Sequence, residues 1–197
     1  MGGRDAASEA RRRGAAPAPV AFLRQVHGSR VVEVGPGGLG AGEEADAALT
    51  SERGLALGVL TADCAPVALA SPEGVVGVAH AGWRGLRDGV IEAVVAAMRD
   101  LGASSVLAAL GPCIHPECYP FDTAELDEVA GVLGPSVRAL DRSGAPALDL
   151  PAGVRSALGR AGAELVADAS TCTACDTSYW SWRVGRHTQR QATLVWR

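Results

Sequence analysis

The sequence predicts an α/β chain folding as one domain, and three observations carry that reading. Short apolar runs rich in Val, Leu and Ala recur along the chain, and runs of that length suit strands buried on both faces. Other segments carry apolar residues at helical spacing, so helices are available to cover the sheet. The chain has 197 residues, 48% of them hydrophobic, enough for one sizeable core.

Taken in order, residues 20–26 (VAFLRQV) and 30–34 (RVVEV) read as strands joined at His27-Gly28-Ser29, a turn that Gly28 eases. The stretch GPGGLGAGEE reads as a loop leading to a strand over 46–50. Further strands are expected at 55–61 (LALGVLT), at 66–70 (PVALA) and, after the turn SPEG, at 75–81 (VVGVAHA). Residues 86–102 place Leu86, Val90, Ile91, Val94, Val95, Met98 and Leu101 on one helical face, and Gly102 stops the helix. A strand at SVLAAL precedes a Pro-rich loop, GPCIHPECYP. Helices fill 122–133 and 151–161, the second opened by Pro151. SYWSWR and ATLVW read as two closing strands. The single domain spans 1–197, with 1–19 a flexible N-terminal segment in which the basic cluster 11–13 is solvated.

Charge and cysteine usage narrow the function. A net charge of -4 disfavours a nucleic-acid partner. No apolar run is long enough to cross a bilayer and no secretory signal is readable, so the expected setting is cytoplasmic, without a membrane partner. All 18 basic residues are Arg, which reads as coding bias rather than phosphate recognition. Five cysteines, an odd count in a reducing compartment, argue against a disulfide framework and turn attention to metal binding or catalysis.

His27, Cys64 and His80 each sit where a strand gives way to a turn, on rigid elements that face a cleft. Two imidazoles and a thiolate are a competent zinc set, and three protein ligands leave the fourth position for water or substrate. The three do not form a compact metal box, so spacing alone leaves ordinary structural roles open. In AHAGWRGL, Gly82 and Gly85 flank Trp83-Arg84 just before a helix, a geometry suited to an anion. Alternatively the glycines only make the turn and Arg84 is solvated.

The motifs QVHG, TADC, HAGWRG, GPCI...CY and the ending S-W-R...T-Q-R-Q-A-T-L-V-W together resemble the YfiH family, also named polyphenol oxidoreductase (laccase) domain or purine nucleoside phosphorylase-type proteins. The likeness runs from about residue 20 to the C-terminus. It implies a mixed-sheet, four-layer α/β/β/α sandwich and a Zn2+ site formed by His27, Cys64 and His80, with Cu2+ the alternative ion. It also implies purine nucleosides and phosphate as small-molecule partners, phosphorolysis of adenosine, inosine and methylthioadenosine, and deamination of adenosine. Within that reading Cys64, His80 and Asp63 are the catalytic candidates. Asp63 either shuttles a proton or orients a ligand histidine, while Gly82, Trp83, Arg84 and Arg183 contact substrate. The chain departs from the family pattern in lacking its T-R-x-G-G and N-L-G stretches. In WSWRVGRHTQRQ, Ser181, Arg183, Thr188, Arg190 and Gln191 are kept, but Val184 and Gly185 replace an Arg and an Asp.

Other classes use the same residues. A metal-free hydrolase would take Cys64 as nucleophile and His80 as base, acting on an amide such as a cell-wall precursor. A copper-dependent polyphenol oxidoreductase fits the soft ligands, although one three-ligand site is poorly suited to four-electron oxygen reduction. A binding role without turnover completes the set. Cys172 and Cys175 form half a zinc site in C-T-A-C, with no second C-x-x-C, and Cys113 and Cys118 flank His115. These read as structural thiols ahead of a further metal site, and Trp180, Trp182 and Trp196 read as strand packing.

Overall fold

In the computed structural model, residues 14–16 and 18–197 are described; the basic cluster 11–13 and most of the 1–19 segment lie outside them. The strands are β1 (Val20–Phe22), β2 (Val31–Glu33), β3 (Ala47–Thr50), β4 (Ala56–Thr61), β5 (Ala65–Ala70), β6 (Val76–Ala81), β7 (Leu107–Leu110), β8 (Arg138–Leu140), β9 (Pro146–Leu148), β10 (Glu164–Asp168) and β11 (Gln191–Trp196). The helices are α1 (Trp83–Arg87), α2 (Val90–Asp100), α3 (Thr123–Leu133), α4 (Leu150–Ala161) and α5 (Trp182–Gly185).

Two mixed sheets carry the fold. The larger runs β10-β7-β5-β6-β3-β2, with parallel pairs at both ends and antiparallel pairs between them. The smaller runs β1-β4-β11, one pair parallel and one antiparallel. Side chains alternate across a strand, so each central strand serves two cores. Ala65, Val67, Leu69, Ala79 and Ala81 join a core with α2, α3 and α4, whereas Val76, Val78 and Ala48 join a second core with Leu57 and Val59 of β4. Among the described residues the layers therefore run helices, six-stranded sheet, three-stranded sheet: the mixed-sheet α/β sandwich expected from sequence, with three of its four expected layers. Five side chains of α2 (Val90, Ile91, Val94, Val95 and Met98) are buried, a gross gain of about 7–15 kcal/mol before ordering costs. Among the described residues no helix is long and apolar enough to cross a membrane.

The structure corrects several element boundaries. The helix expected over 86–102 begins earlier, at Trp83, and is broken at Gly89, whose φ of +85 cannot continue a helix. β1 and β2 are not a hairpin, because they lie in different sheets. SYWSWR forms no strand. Ser181 instead caps the short α5 by accepting from the Val184 amide, which leaves Trp182 47% exposed rather than packed in a sheet. The β8–β9 hairpin and β10 add strands that the apolar pattern does not announce.

Candidate metal centre

Strand register assembles most of the site. β5 and β6 pair with Ala65 opposite Ala81, so Cys64, one residue before β5, falls opposite Gly82. β3 and β6 pair with Ala47 opposite Ala79, which sets Asp46 opposite His80; the His80 amide donates to the Asp46 carbonyl at 2.7 Å. Period-two alternation then turns Asp46, Cys64 and His80 to one face, the face that meets the smaller sheet. His27 arrives from that smaller sheet. Beyond β1 the Gln25 side chain takes the place of a strand, donating to the Leu60 carbonyl and accepting from the Leu60 amide, both at 2.8 Å. This clamp carries the next residues over the end of β4.

Asp46 organises what register brings together. It is fully buried, and its Oδ1 lies 2.7 Å from His80 Nδ1. The backbone amides of Val26, His27 and Gly28 also donate to the carboxylate, at 3.1, 2.9 and 2.8 Å. These bonds hold His27 at φ +63, a left-handed conformation that a non-glycine residue adopts at a cost of roughly 1–3 kcal/mol. Burial works to raise the Asp46 carboxyl, but the His80 ring and the Gly28 and Val26 amides keep it below the ordinary carboxylate range. With Nδ1 bonded to a carboxylate, His80 presents Nε2 to its neighbours, the usual outer support of a metal-bound imidazole.

The ligand atoms of His27, Cys64 and His80 lie within 4.8 Å of one another. The two imidazole rings meet edge to face, centroids 4.8 Å apart. Burial opposes ionisation of Cys64, yet the His80 charge and hydrogen bonds from His27 and His80 bring its thiol down to about 6. His80 moves the other way, to about 9: burial disfavours its charged form, but the Cys64 thiolate and the Asp46 bond outweigh burial. Such a thiolate with two imidazoles is a borderline-soft donor set that suits Zn2+ and also accepts copper. His80 is buried, Cys64 half-buried and His27 exposed, so the group opens to solvent on the His27 side.

The turn after β6 forms the floor. A Cβ added at Gly82 would lie 3.2 Å from both Cys64 Sγ and His27 Cδ2, and one at Gly85 would meet the Gly28 carbonyl at 2.9 Å. Only glycine lets the turn pass this close beneath the ligands. Trp83 stands edge-on to Phe121 (5.4 Å), and Phe121 in turn to Tyr119 (5.4 Å). Arg84 lies over the Trp83 ring at 4.5 Å and Arg183 over the Tyr119 ring at 4.8 Å, so the aromatic row ends in a guanidinium on each side. Burial and the nearby Cys64 thiolate push the Tyr119 phenol well above its ordinary value.

Asp63 sits beside Cys64 at φ +95. Its Oδ1 accepts from Thr173 Oγ1 at 2.8 Å and its Oδ2 from the Arg183 amide at 2.7 Å. The carboxylate on His80 is Asp46, so the expected orienting of a histidine by Asp63 is not what the structure shows; Asp63 instead ties Arg183 and the 171–176 turn to the Cys64 loop. His27, Cys64 and His80 thus meet, with Gly82 beneath them, and contacts through Trp83, Phe121 and Tyr119 link Arg84 to Arg183 and Asp63, whereas among the described residues Arg190 bonds only carbonyls of its own loop. Asp46, Phe121 and Thr173 are additions that no local motif marks, since only pairing 34 to 110 residues apart makes Asp46 and Thr173 meaningful; Tyr119 ends the GPCI...CY motif, but its place in the aromatic row is visible only in the structure.

Comparison with known proteins places this geometry in a family. Residues 4–197 match the family model described as "Multi-copper polyphenol oxidoreductase laccase". A protein of Streptomyces coelicolor named purine nucleoside phosphorylase is 44% identical over 187 residues, covering 93% of this chain and 77% of its own length. A protein of Streptomyces griseus with the same name is 44% identical over 192 residues, covering 95% of this chain and 78% of its own length. Among solved structures, the Bacillus licheniformis hypothetical protein YfiH superposes with a TM-score of 0.84 at 25% identity, over 97% of this chain and 79% of that one. YlmD of Geobacillus stearothermophilus gives 0.81 at 29% identity, over 95% and 76%.

Proposed function

The chain belongs to the multi-copper polyphenol oxidoreductase laccase family, the YfiH family of the sequence comparison, and from that premise we propose that it is a zinc-dependent purine nucleoside phosphorylase with adenosine deaminase activity. The observation that carries this reading is the convergence of His27, Cys64 and His80 on one point, with Asp46 fixing the His80 tautomer. The names of the Streptomyces relatives support the nucleoside chemistry. Adenosine, inosine and methylthioadenosine are the proposed substrates, with phosphate as the second.

Zinc held by His27, Cys64 and His80 would supply a Lewis acid able to polarise an oxygen of phosphate or water. The chain's own residues do the rest. Arg84 and the amides that open α1 hold phosphate against one face of the ribose, and Trp83, Phe121, Tyr119 and Arg183 border the purine. As the glycosidic C–N bond breaks, positive charge builds on the ribose, and an anion fixed on one face stabilises it. The phosphate oxygen then forms the new C–O bond, and the base leaves with the electron pair of the old one. In deamination Asp63 carries the proton from the attacking water toward the departing amine, while its bonds to Thr173 and Arg183 hold it in place.

Purified protein should contain zinc and should release free base from inosine and adenosine only when phosphate is present. The His80→Ala variant should lose the zinc held at His27, Cys64 and His80 together with the phosphate-dependent release of base. The lowered Cys64 thiol beside His80 favours one second reading, a metal-free hydrolase acting through Cys64 on an amide. Metal-free protein that is acylated at Cys64 by an amide or ester substrate would replace the phosphorylase reading with that one. A copper-dependent polyphenol oxidation ranks below both, and zinc rather than copper in the isolated protein would retire it.

A further inference from the structure

A second group of metal-binding side chains lies outside the site described above. Cys118, Cys172 and Cys175 bring their sulfurs within 4.8 Å of one another, from chain segments more than fifty residues apart. The sequence shows only half a site there, C-T-A-C. The fold supplies the third sulfur, because the GPCIHPEC loop and the turn at 171–176 are stitched together. The Cys113 amide donates to the Thr171 carbonyl at 3.2 Å, and the Thr173 amide donates back to the Cys113 carbonyl at 3.0 Å.

We propose that Cys118, Cys172 and Cys175 form a second metal site, one that takes a thiophilic divalent cation of the Zn2+ class. Four observations point to this. Three sulfurs meet at one place, which a disulfide would not require. The Cys118 and Cys175 sulfurs are 3.3 Å apart, and tetrahedral zinc with Zn–S bonds of about 2.3 Å spreads its sulfurs to about 3.8 Å, so small shifts seat the ion. Cys172 and Cys175 form a knuckle in which the Cys175 amide donates to the Cys172 carbonyl at 3.1 Å, and the His115 amide donates to Cys172 Sγ at 3.3 Å. An N–H bond to the sulfur is the kind of outer support that steadies a thiolate ligand. Finally, Arg142 Nη2 lies 3.0 Å from Cys175 Sγ, and its charge offsets the excess of three thiolates over a divalent ion. Glu117 Oε1, 3.5 Å from Cys175 Sγ, is a carboxylate within reach of the fourth position, on the side where Cys175 is exposed.

On binding, each of the three thiols gives its proton to solvent and its sulfur electron pair to the cation, with no change of oxidation state. The role of such an ion is to hold the 171–176 turn. Thr173 lies inside the knuckle and donates to Asp63, the neighbour of Cys64, so the second site braces the first through one hydrogen bond.

The test is metal analysis of the full chain, purified under reducing conditions without chelator and supplied with Zn2+. Wild type should hold about two zinc ions per chain, His80→Ala and Cys175→Ser about one each, and the double variant none. Cys175 is exposed, so Cys175→Ser should remain folded, whereas Cys172 is buried and its replacement would disturb the turn; the wild-type measurement needs no variant at all. Co2+ added to His80→Ala should give the strong near-ultraviolet charge-transfer band of a multi-thiolate site. One zinc in wild type that disappears in His80→Ala overturns the proposal. So does a Cys118–Cys175 disulfide found by alkylating unreduced, denatured protein.

Discussion

Replacing Asp46 by Asn removes one charge and keeps the volume, so it isolates the carboxylate. Asp46 Oδ1 serves His80 Nδ1 and the His27 amide, while Oδ2 serves the amides of Val26 and Gly28. Whichever way the Asn amide turns, its NH2 group faces two donors. With NH2 toward His80, the imidazole must shift its proton to Nε2, the nitrogen it offers to the metal, and the His27 amide is orphaned. With NH2 toward Val26 and Gly28, the loop holding His27 at φ +63 comes undone. One orphaned donor in the first orientation or two in the second, at about 1–3 kcal/mol each, give a loss of about 1–6 kcal/mol. At roughly 2–4 °C per kcal/mol for a chain of this size, Tm should fall by about 2–24 °C. Zinc affinity should fall by about 10–100-fold, as for other supports of a ligand histidine. The assays are thermal melting and competition for zinc against a chromophoric chelator. An Asp46→Asn protein that keeps the parent's zinc affinity would refute the reasoning, whatever its melting temperature.

Gly82→Ala pushes a methyl group to 3.2 Å from Cys64 Sγ and His27 Cδ2, so chelator competition should show zinc affinity reduced while the stability of zinc-free protein falls by no more than about 1–3 kcal/mol in denaturant melts; unchanged affinity would show that the turn gives way freely. Gly58→Ala is the contrasting case: its Cβ would meet Phe22 Cε1 at 2.5 Å and Leu194 Cδ2 at 2.8 Å within the smaller sheet, so stability should fall by about 1–3 kcal/mol in denaturant melts with zinc affinity kept. In zinc-free protein the folded Cys64 thiol ionises below its ordinary value, so alkylation by iodoacetamide should be fast above about pH 6 and fade as pH falls through it. His80→Ala removes the charge that lowers the thiol and should move that midpoint upward; a midpoint that stays near 6 would assign the shift to another group.

How far the sequence reveals the molecule depends on how local each cause is. β4, β5 and β6 are legible because continuous apolar runs bounded by turns leave few other outcomes, and α3 falls within the expected 122–133, to which the structure adds the cap: Asp122 accepts from the Ala124 and Glu125 amides. The break between α1 and α2 is hidden because Gly89 interrupts the backbone without interrupting the apolar spacing. SYWSWR misleads because aromatic residues favour strands, whereas here a serine cap starts a helical turn. At the site, His27, Cys64 and His80 are legible as residue types at strand ends. Asp46 is not, because its meaning lies in a partner 34 residues away, and the third sulfur of the second cluster is hidden for the same reason.

Register is therefore the variable on which the site depends most. Shift β3 by one residue against β6 and Ala45 or Ala47 would stand opposite His80, while Asp46 would turn to the helix-facing core, an unpaired charge among Val and Leu side chains. Shift β5 by one residue against β6 and Cys64 would leave the face it shares with His80 and lose the space opposite Gly82. Both slips also carry apolar residues to the wrong face of their strands: Ala47 and Leu49 in one case, Val67 and Leu69 in the other. The two cores penalise the same errors that would dismantle the candidate metal centre. A strand pairing chosen by ordinary hydrophobic burial thus delivers Asp46, Cys64 and His80 to one point, and only His27, on its clamped loop, needs bonds of its own to reach them.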